Sequence, residues 1–269
     1  MITRQQSEHL LEIAIAASLE AGEEIRKIYT NGFDVDYKKD HSPLTKADTA
    51  SHAIISKHIE ATGYPVLSEE GREIRFEKRK TWDIYWLVDP LDGTKEFVKK
   101  NGEFTVNIAL IVSNQPMFGV IYIPVTKTLY FGSEFSGSHK IHTITGKRDN
   151  LDTYIKEGIV LPEKQSDHVF TVVGSKSHLT PETEVFVETL KKKHGALNFL
   201  SKGSSLKICM VAEGSADVYP RFAPTMEWDI AAGHAIAKYS GAQIVVHETG
   251  HELTYNTESL VNPWFIVKR

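Results

Sequence analysis

The chain has 269 residues, of which 41% are hydrophobic and 25% charged, with a formal net charge of −4. It is long enough for one large domain or two small ones, and its balance gives no general attraction to nucleic acid or anionic lipid. No apolar run is long enough to span a membrane, and the N-terminus lacks a signal-peptide core. The single cysteine, Cys209, excludes an internal disulfide and a thiolate metal site; within its apolar run it reads as a small core residue of a chain at home in a reducing cytosol.

Taken in order, residues 7–29 read as a helix, because Leu10, Ala14, Ala17, Ala21, Ile25 and Ile28 recur at helical spacing. Asn31-Gly32 is its stop. After the Ser42-Pro43 break, a second helix runs to about Thr62 and carries Asp48 in its first turn. A carboxylate there also suits the helix dipole with no catalytic role. Tyr64–Glu70 reads as a short strand ending in acids, and 71–82 as a charged flap. Ile84–Val88 is a buried strand, and Pro90 is expected to stop its ladder. Residues 104–113, 116–123 and 128–132 are consecutive antiparallel strands, followed by a polar, irregular stretch over 133–158. A subdomain boundary is placed near 160, separating an N-terminal α+β part (1–160) from a C-terminal α/β part (161–269). In the latter, strands at 169–173, 196–200, 216–222, 243–247 and 264–267 alternate with helices at 181–194, 205–213 and from Glu227 to Gly241.

The chemistry concentrates where Val88 gives way to Asp89-Pro90-Leu91-Asp92-Gly93-Thr94. This turn delivers two carboxylates and the Leu91 carbonyl to one volume, and clustered hard oxygens suit Mg²⁺. The helix that follows would aim the amides of Gly93 and Thr94 at a phosphate. A second acid-ended strand beside it would add Glu69, and Asp229, in the first turn of a helix, could reach over from the second half. Four carboxylates can hold two divalent ions about 4 Å apart, the geometry of in-line phosphoryl displacement. Thr94 is placed to orient a water and Asp48 to take its proton. Gly203-Ser204-Ser205 at a helix start, with Lys207, is a further anion site. His247-Glu248-Thr249-Gly250-His251 fits the zinc-peptidase spacing. It follows a strand and contains a glycine, however, whereas that chemistry needs both histidines on one helical face.

Asp89–Thr94 (DPLDGT), with Trp228–Gly233 (WDIAAG), resembles the lithium-sensitive, Mg²⁺-dependent inositol monophosphatase superfamily. Ser68–Glu70 and Ser42–Asp48 fit the same pattern in the same order, and the likeness covers nearly the whole chain. Val173–His178, Lys202–Phe222, Pro224–Ile236 and the DGTKEF variant at 92–97 resemble its CysQ-type 3′(2′),5′-bisphosphate nucleotidase branch. The resemblance implies a layered αβαβα sandwich, two or three Mg²⁺ ions on Glu69, Asp89, Leu91, Asp92 and Asp229, and water activation by Asp48 and Thr94. It also implies that Gly93, Thr94, Gly174, Ser175, His178, Ser204, Ser205, Lys207 and Asp229 hold the nucleotide and its phosphates. The reaction implied is removal of the 3′-phosphate of adenosine 3′,5′-bisphosphate, with 3′-phosphoadenylyl sulfate as a further substrate, in recycling during sulfate assimilation. The implied setting is a cytoplasmic enzyme without a transmembrane segment, with room for peripheral association at the inner membrane. Inositol monophosphate or fructose 1,6-bisphosphate fits the same metal site. A phosphatase-like factor that binds RNA or protein is the alternative of another class, disfavoured by the acidic balance. Glu227, beside the presumptive nucleotide pocket, is expected to point outward.

Overall fold

The structure is a computed structural model that describes residues 2–37, 43–163, 169–175 and 180–269. Helices α1 (Arg4–Asn31) and α2 (Lys46–Ile59) flank a small antiparallel pair, β1 (Val35–Tyr37) and β2 (Pro43–Thr45). A seven-stranded sheet follows in sequence order: β3 (Val66–Ser68), β4 (Ile84–Asp92), β5 (Thr105–Val112), β6 (Gln115–Ile123), β7 (Thr128–Ser133), β8 (Gly137–Ile141) and β9 (Ile159–Val160). β3 and β4 are parallel and the later neighbours antiparallel. Short helices α3 (Phe76–Arg79), α4 (Thr94–Val98) and α5 (Leu151–Glu157) interrupt it. The five-stranded sheet comprises β10 (Thr171–Gly174), β11 (Asn198–Ser201), β12 (Val218–Arg221), β13 (Gln243–Val246) and β14 (Phe265–Lys268), in the order β11-β10-β12-β14-β13. Its connections carry α6 (Pro181–His194), α7 (Leu206–Glu213) and α8 (Glu227–Tyr239).

The apolar runs of β4, β5 and β6 are continuous because the large sheet is buried on both faces. Strand side chains alternate sides, and here the alternation separates two cores. Trp86, Val88, Val106, Ile108, Leu110, Phe118 and Val120 pack against α1 and α2. Tyr85, Leu87, Ala109, Ile111 and Ile121 pack against α7 and α8, whose far side meets Val173, Tyr219, Phe265 and Val267 of the small sheet. With α6 against β12 on the outside, where Phe186 meets Phe222 at 5.5 Å between centroids, the layers run α–β–α–β–α. Gly119 sets the spacing between α8 and β6. A Cβ there would lie 2.7 Å from the Ala232 Cα, so the helix backbone rests directly on the strand.

Two expectations are corrected. The stretch 133–158 is ordered, containing β8 and α5. β8 is disguised because its buried residues are polar: Ser138 Oγ donates to Ile236 O, His139 Nε2 meets Ser136 O, and Lys140 Nζ reaches Glu213 at 2.6 Å and Glu163 at 3.1 Å. Pro90 does not end the β4 ladder. Between Asp89, opposite Asn107, and Asp92, opposite Thr105, β4 takes three steps while β5 takes two. A bulge absorbs the residue that cannot donate. The His247–His251 stretch is a turn after β13, as its glycine suggests, with Gly250 N–H donating back to Val246 O at 2.8 Å. Among the described residues, no helix is long and apolar enough to cross a membrane.

Candidate active site

The parallel pairing of β3 and β4 sets Ser68 beside Val88, so Glu69, just past the end of β3, comes alongside Asp89 within β4. Glu69 N–H donates to Val88 O at 3.1 Å, which ties the two ends. α8 supplies Asp229 at its third position, where Asp229 Oδ2 accepts from Met226 N at 2.9 Å. Oxygens of Glu69, Asp89 and Asp229, three of the four carboxylates singled out in the sequence, lie within 4.8 Å of one another. Asp89 is 1% exposed. Burial, followed by the neighbouring charges of Glu69, Asp92 and Asp229, pushes its carboxyl well above the usual range. Burial and then Asp92 do the same to Asp229. Hard oxygens crowded until their protons are hard to remove fit a divalent cation, which would relieve the repulsion.

The bulge after Asp89 shapes the next ligands. Pro90 O accepts from Ser51 Oγ of α2 at 2.7 Å, and Leu91 N–H donates back to Asp89 Oδ1 at 3.0 Å. Leu91 O faces Thr94 Oγ1 at 3.4 Å. Gly93 turns the chain at φ +93° into α4, where a Cβ would lie 3.1 Å from Glu103 O and 3.3 Å from Ser204 Cβ. Asp92 borders the carboxylate trio but holds a second set of partners. Its Oδ2 accepts from Ser204 Oγ at 2.6 Å, Ser205 N at 2.7 Å and Ser205 Oγ at 2.8 Å. The two serines, anticipated on the substrate, thus bind Asp92 and join the second half to the first.

Asp48 caps its own helix and also reaches Thr94. Its Oδ2 closes a capping box with Thr45, accepting from N at 2.8 Å and Oγ1 at 2.7 Å, while its Oδ1 accepts from Thr94 Oγ1 at 3.1 Å. Burial raises its pKa, against those hydrogen bonds.

A pocket opens beside Asp92 and Asp229 and gathers Gly93, Ser175, Ser204, Ser205 and Lys207. Lys207 is buried; its Nζ donates to Ser204 O at 2.6 Å and sits 5.4 Å above the Tyr219 ring. Burial lowers its pKa to about 8. Gly174 precedes Ser175 and is not itself in the pocket's lining; the Phe199 ring fills the place of its absent side chain, 2.7 Å from where a Cβ would sit. His178 lies outside the described residues, as do residues 176, 177 and 40–42 of the quoted motifs. Sequence reasoning missed Arg221, which lines the same pocket with its Nε buried and lacking a hydrogen-bond partner. The signal was present, since Arg221 ends a strand two residues after Tyr219, on the same face. The expectation for Glu227 is corrected: it is 1% exposed and turned into the protein, accepting from Asn256 N at 2.8 Å, Thr257 N at 2.9 Å and Thr257 Oγ1 at 2.6 Å.

A layered αβαβα sandwich with an acidic cluster at its strand ends defines a class of metal-dependent phosphatases. Within that class, the chain belongs to the inositol monophosphatase family, whose profile matches residues 6–264. It is 42% identical over 264 residues to the 3′(2′),5′-bisphosphate nucleotidase CysQ of Salmonella typhimurium, covering 96% of this chain and 99% of that one. To CysQ of Escherichia coli K12 it is 43% identical over 253 residues, covering 92% of this chain and 94% of that one. The crystal structure of CysQ from Bacteroides thetaiotaomicron superposes with a TM-score of 0.91 at 50% identity, over 97% of both chains.

Proposed function

We propose that this chain is a Mg²⁺-dependent 3′(2′),5′-bisphosphate nucleotidase that converts adenosine 3′,5′-bisphosphate to AMP and phosphate, and 3′-phosphoadenylyl sulfate to adenylyl sulfate. The observation that carries this reading is the pocket beside the carboxylate trio, with Lys207 and Arg221 in its wall. One phosphate meets the acidic cluster, and a second, separate anion has its own cationic site. The CysQ relatives support that assignment, since a 3′(2′),5′-bisphosphate nucleotidase acts on a substrate with two phosphates.

Glu69, Asp89, the Leu91 carbonyl, Asp92 and Asp229 would hold two or three Mg²⁺ ions. When bound, these would polarise the phosphoryl oxygens and ease deprotonation of the attacking water. Thr94 donates its hydroxyl hydrogen to Asp48, leaving its lone pairs to accept from that water. The water oxygen bonds to phosphorus as the bond to the 3′ oxygen breaks. A water proton passes by way of Thr94 to Asp48, and the departing 3′ oxygen takes up a proton from solvent to become a hydroxyl, Asp48 returning its own to solvent afterwards. Gly93 and Thr94 offer amides to the reacting phosphate. Lys207, Arg221 and Ser175 face the nucleotide, with Gly174 immediately before Ser175. His178 completes this set from the sequence alone. Residues 1–160 form the subdomain with most ligands, and 161–269 the one with Asp229 and the nucleotide wall. The setting is the cytoplasm, in recycling linked to sulfate assimilation.

The test is phosphate release by the purified protein with adenosine 3′,5′-bisphosphate, inositol 1-phosphate and fructose 1,6-bisphosphate, each with Mg²⁺ or EDTA. EDTA-sensitive turnover that strongly favours the nucleotide is expected. Preference for either sugar phosphate would overturn the substrate, and EDTA-insensitive turnover the metal.

A further inference from the structure

The start of α8, the helix that carries Asp229, is held from outside that helix. Residues 256–262 form a strap across the start of α8. Glu227 N–H donates to Leu260 O at 2.9 Å, Asn262 N–H to Thr225 O at 2.8 Å, and Asn262 Nδ2 to Met226 O at 2.7 Å. The Glu227 carboxylate grips the other end of the strap at Asn256 and Thr257. The strap is in turn grasped by Arg79 of α3, which is 2% exposed. Arg79 Nη1 donates to Asn256 Oδ1 at 3.0 Å and Thr257 O at 2.6 Å, and Nη2 donates to Glu258 O at 2.8 Å. Asn256 Nδ2 returns a bond to Arg79 O at 2.7 Å. Glu69, Arg79, Trp228 and Glu258 border one cleft, so this clamp sits between the segment that carries Glu69 and the helix that carries Asp229.

The construction is expensive in energy. A buried guanidinium and a buried carboxylate, separated by the backbone of 256–257, recover less than their desolvation costs, and apolar packing would serve stability as well. What the clamp supplies is geometry. The three carboxylates repel one another, and Asp229 is the one that arrives on a different element from Glu69 and Asp89. Partners behind metal ligands fix ligand orientation. We propose that Arg79 is a positioning residue for the metal site: it locks the 256–262 strap onto α8 and thereby holds Asp229 opposite Glu69 and Asp89. The inference rests on the metal-site reading above.

The test is Mg²⁺ binding to the full chain by calorimetry, paralleled by Tb³⁺ luminescence sensitised through Trp228, in Arg79→Met, Arg79→Lys and Asn256→Gly. Glycine accepts the φ of +63° at Asn256 while removing both side-chain bonds to Arg79, so it opens the clamp without touching a charge. Lys78→Met is the control, removing an exposed cation from the same short helix. Arg79→Met and Asn256→Gly are expected to weaken Mg²⁺ about tenfold or more, with kcat at saturating Mg²⁺ within about threefold of wild type. Arg79→Lys should recover part of the loss, and Lys78→Met should not weaken binding. The sign is diagnostic. Losing a positive charge beside a cation site tightens the cation through space, so weaker binding requires a geometric cause. Wild-type or tighter affinity in a folded Arg79→Met would overturn the proposal. If that variant fails to fold, wild-type affinity in Asn256→Gly would overturn it. Failure of the wild type itself to bind Mg²⁺ would instead remove the metal-site reading.

Discussion

In the proposed reaction, Thr94 and Asp48 would divide one proton path between two helices. Thr94 opens α4 and Asp48 lies in the first turn of α2, and a single hydrogen bond of 3.1 Å joins them. Asp48→Asn keeps the size and the cap to Thr45 but cannot take a proton. It should lower kcat at least about a hundredfold, with Mg²⁺ affinity within about threefold of wild type. Thr94→Val should behave alike, and Thr94→Ser should retain most turnover; a fully active Thr94→Val would remove the hydroxyl from the path. Lys207 supplies a pH dependence of opposite sign to an acid limb. Burial brings its folded pKa to about 8, below the ordinary lysine value, so the folded protein loses this charge first as pH rises. The charge is present below that pH and lost above it. If Lys207 holds the second phosphate, kcat/KM for the bisphosphate should fall above about pH 8, and Lys207→Arg should flatten that fall. An unchanged profile in Lys207→Arg would exclude Lys207 as its source.

α8 is the element on which both halves meet, and its seat is Gly119. Gly119→Val would drive a branched side chain into the Ala232 backbone. Overpacking of this kind should lower stability by about 1–3 kcal/mol. Because α8 also carries Asp229, denaturant unfolding and Mg²⁺ titration of this variant should both shift. A stability loss with wild-type Mg²⁺ affinity would show that α8 can tilt without moving its first turn. α8 also shows what was legible in the sequence. Its apolar face, its start at Glu227 and its carboxylate at 229 follow from helical spacing, and the acid-ended strands β3 and β4 from short apolar runs. Elements whose burial is polar were not legible: β8 hides Lys140 against Glu213 and Glu163, and α5 buries only Leu151 and Tyr154. Likewise, the strand bulge at Pro90 depends on β5 pairing past it, and the inward turn of Glu227 depends on Asn256 and Thr257. No local pattern carries a partner about thirty residues away, or the 177 that separate Arg79 from Asn256.

At the scale of the whole molecule, the acidic cluster sets the site against the fold. Unfolded carboxyls titrate near pH 4, whereas those of Asp89 and Asp229 titrate well above their ordinary values in the folded chain. With a raised folded pKa, the stabilising contribution is complete below the unfolded value and is lost as pH rises through the folded one. The metal-free protein should therefore lose stability as pH rises through the raised folded values of Asp89 and Asp229. On the metal-site reading, Mg²⁺ would bind the ionised folded site and not the unfolded chain, so it should restore what ionisation removes. At a hundredfold excess over its Kd, that is worth about 2.7 kcal/mol. Thermal unfolding at pH 5 and 7.5, with EDTA or Mg²⁺, should show a Mg²⁺ increment that is larger at the higher pH. Asp229→Asn separates the two effects. It removes one repelling charge but keeps an oxygen to accept from Met226 N, so the metal-free variant should melt above metal-free wild type at pH 7.5 while losing most of the Mg²⁺ increment. A variant that melts lower in EDTA would mean that weakening the bond from Met226 N, from a carboxylate to an amide acceptor, outweighs the relief of repulsion. A Mg²⁺ increment equal at both pH values would mean that the cation stabilises the chain somewhere other than at the Glu69–Asp89–Asp229 cluster.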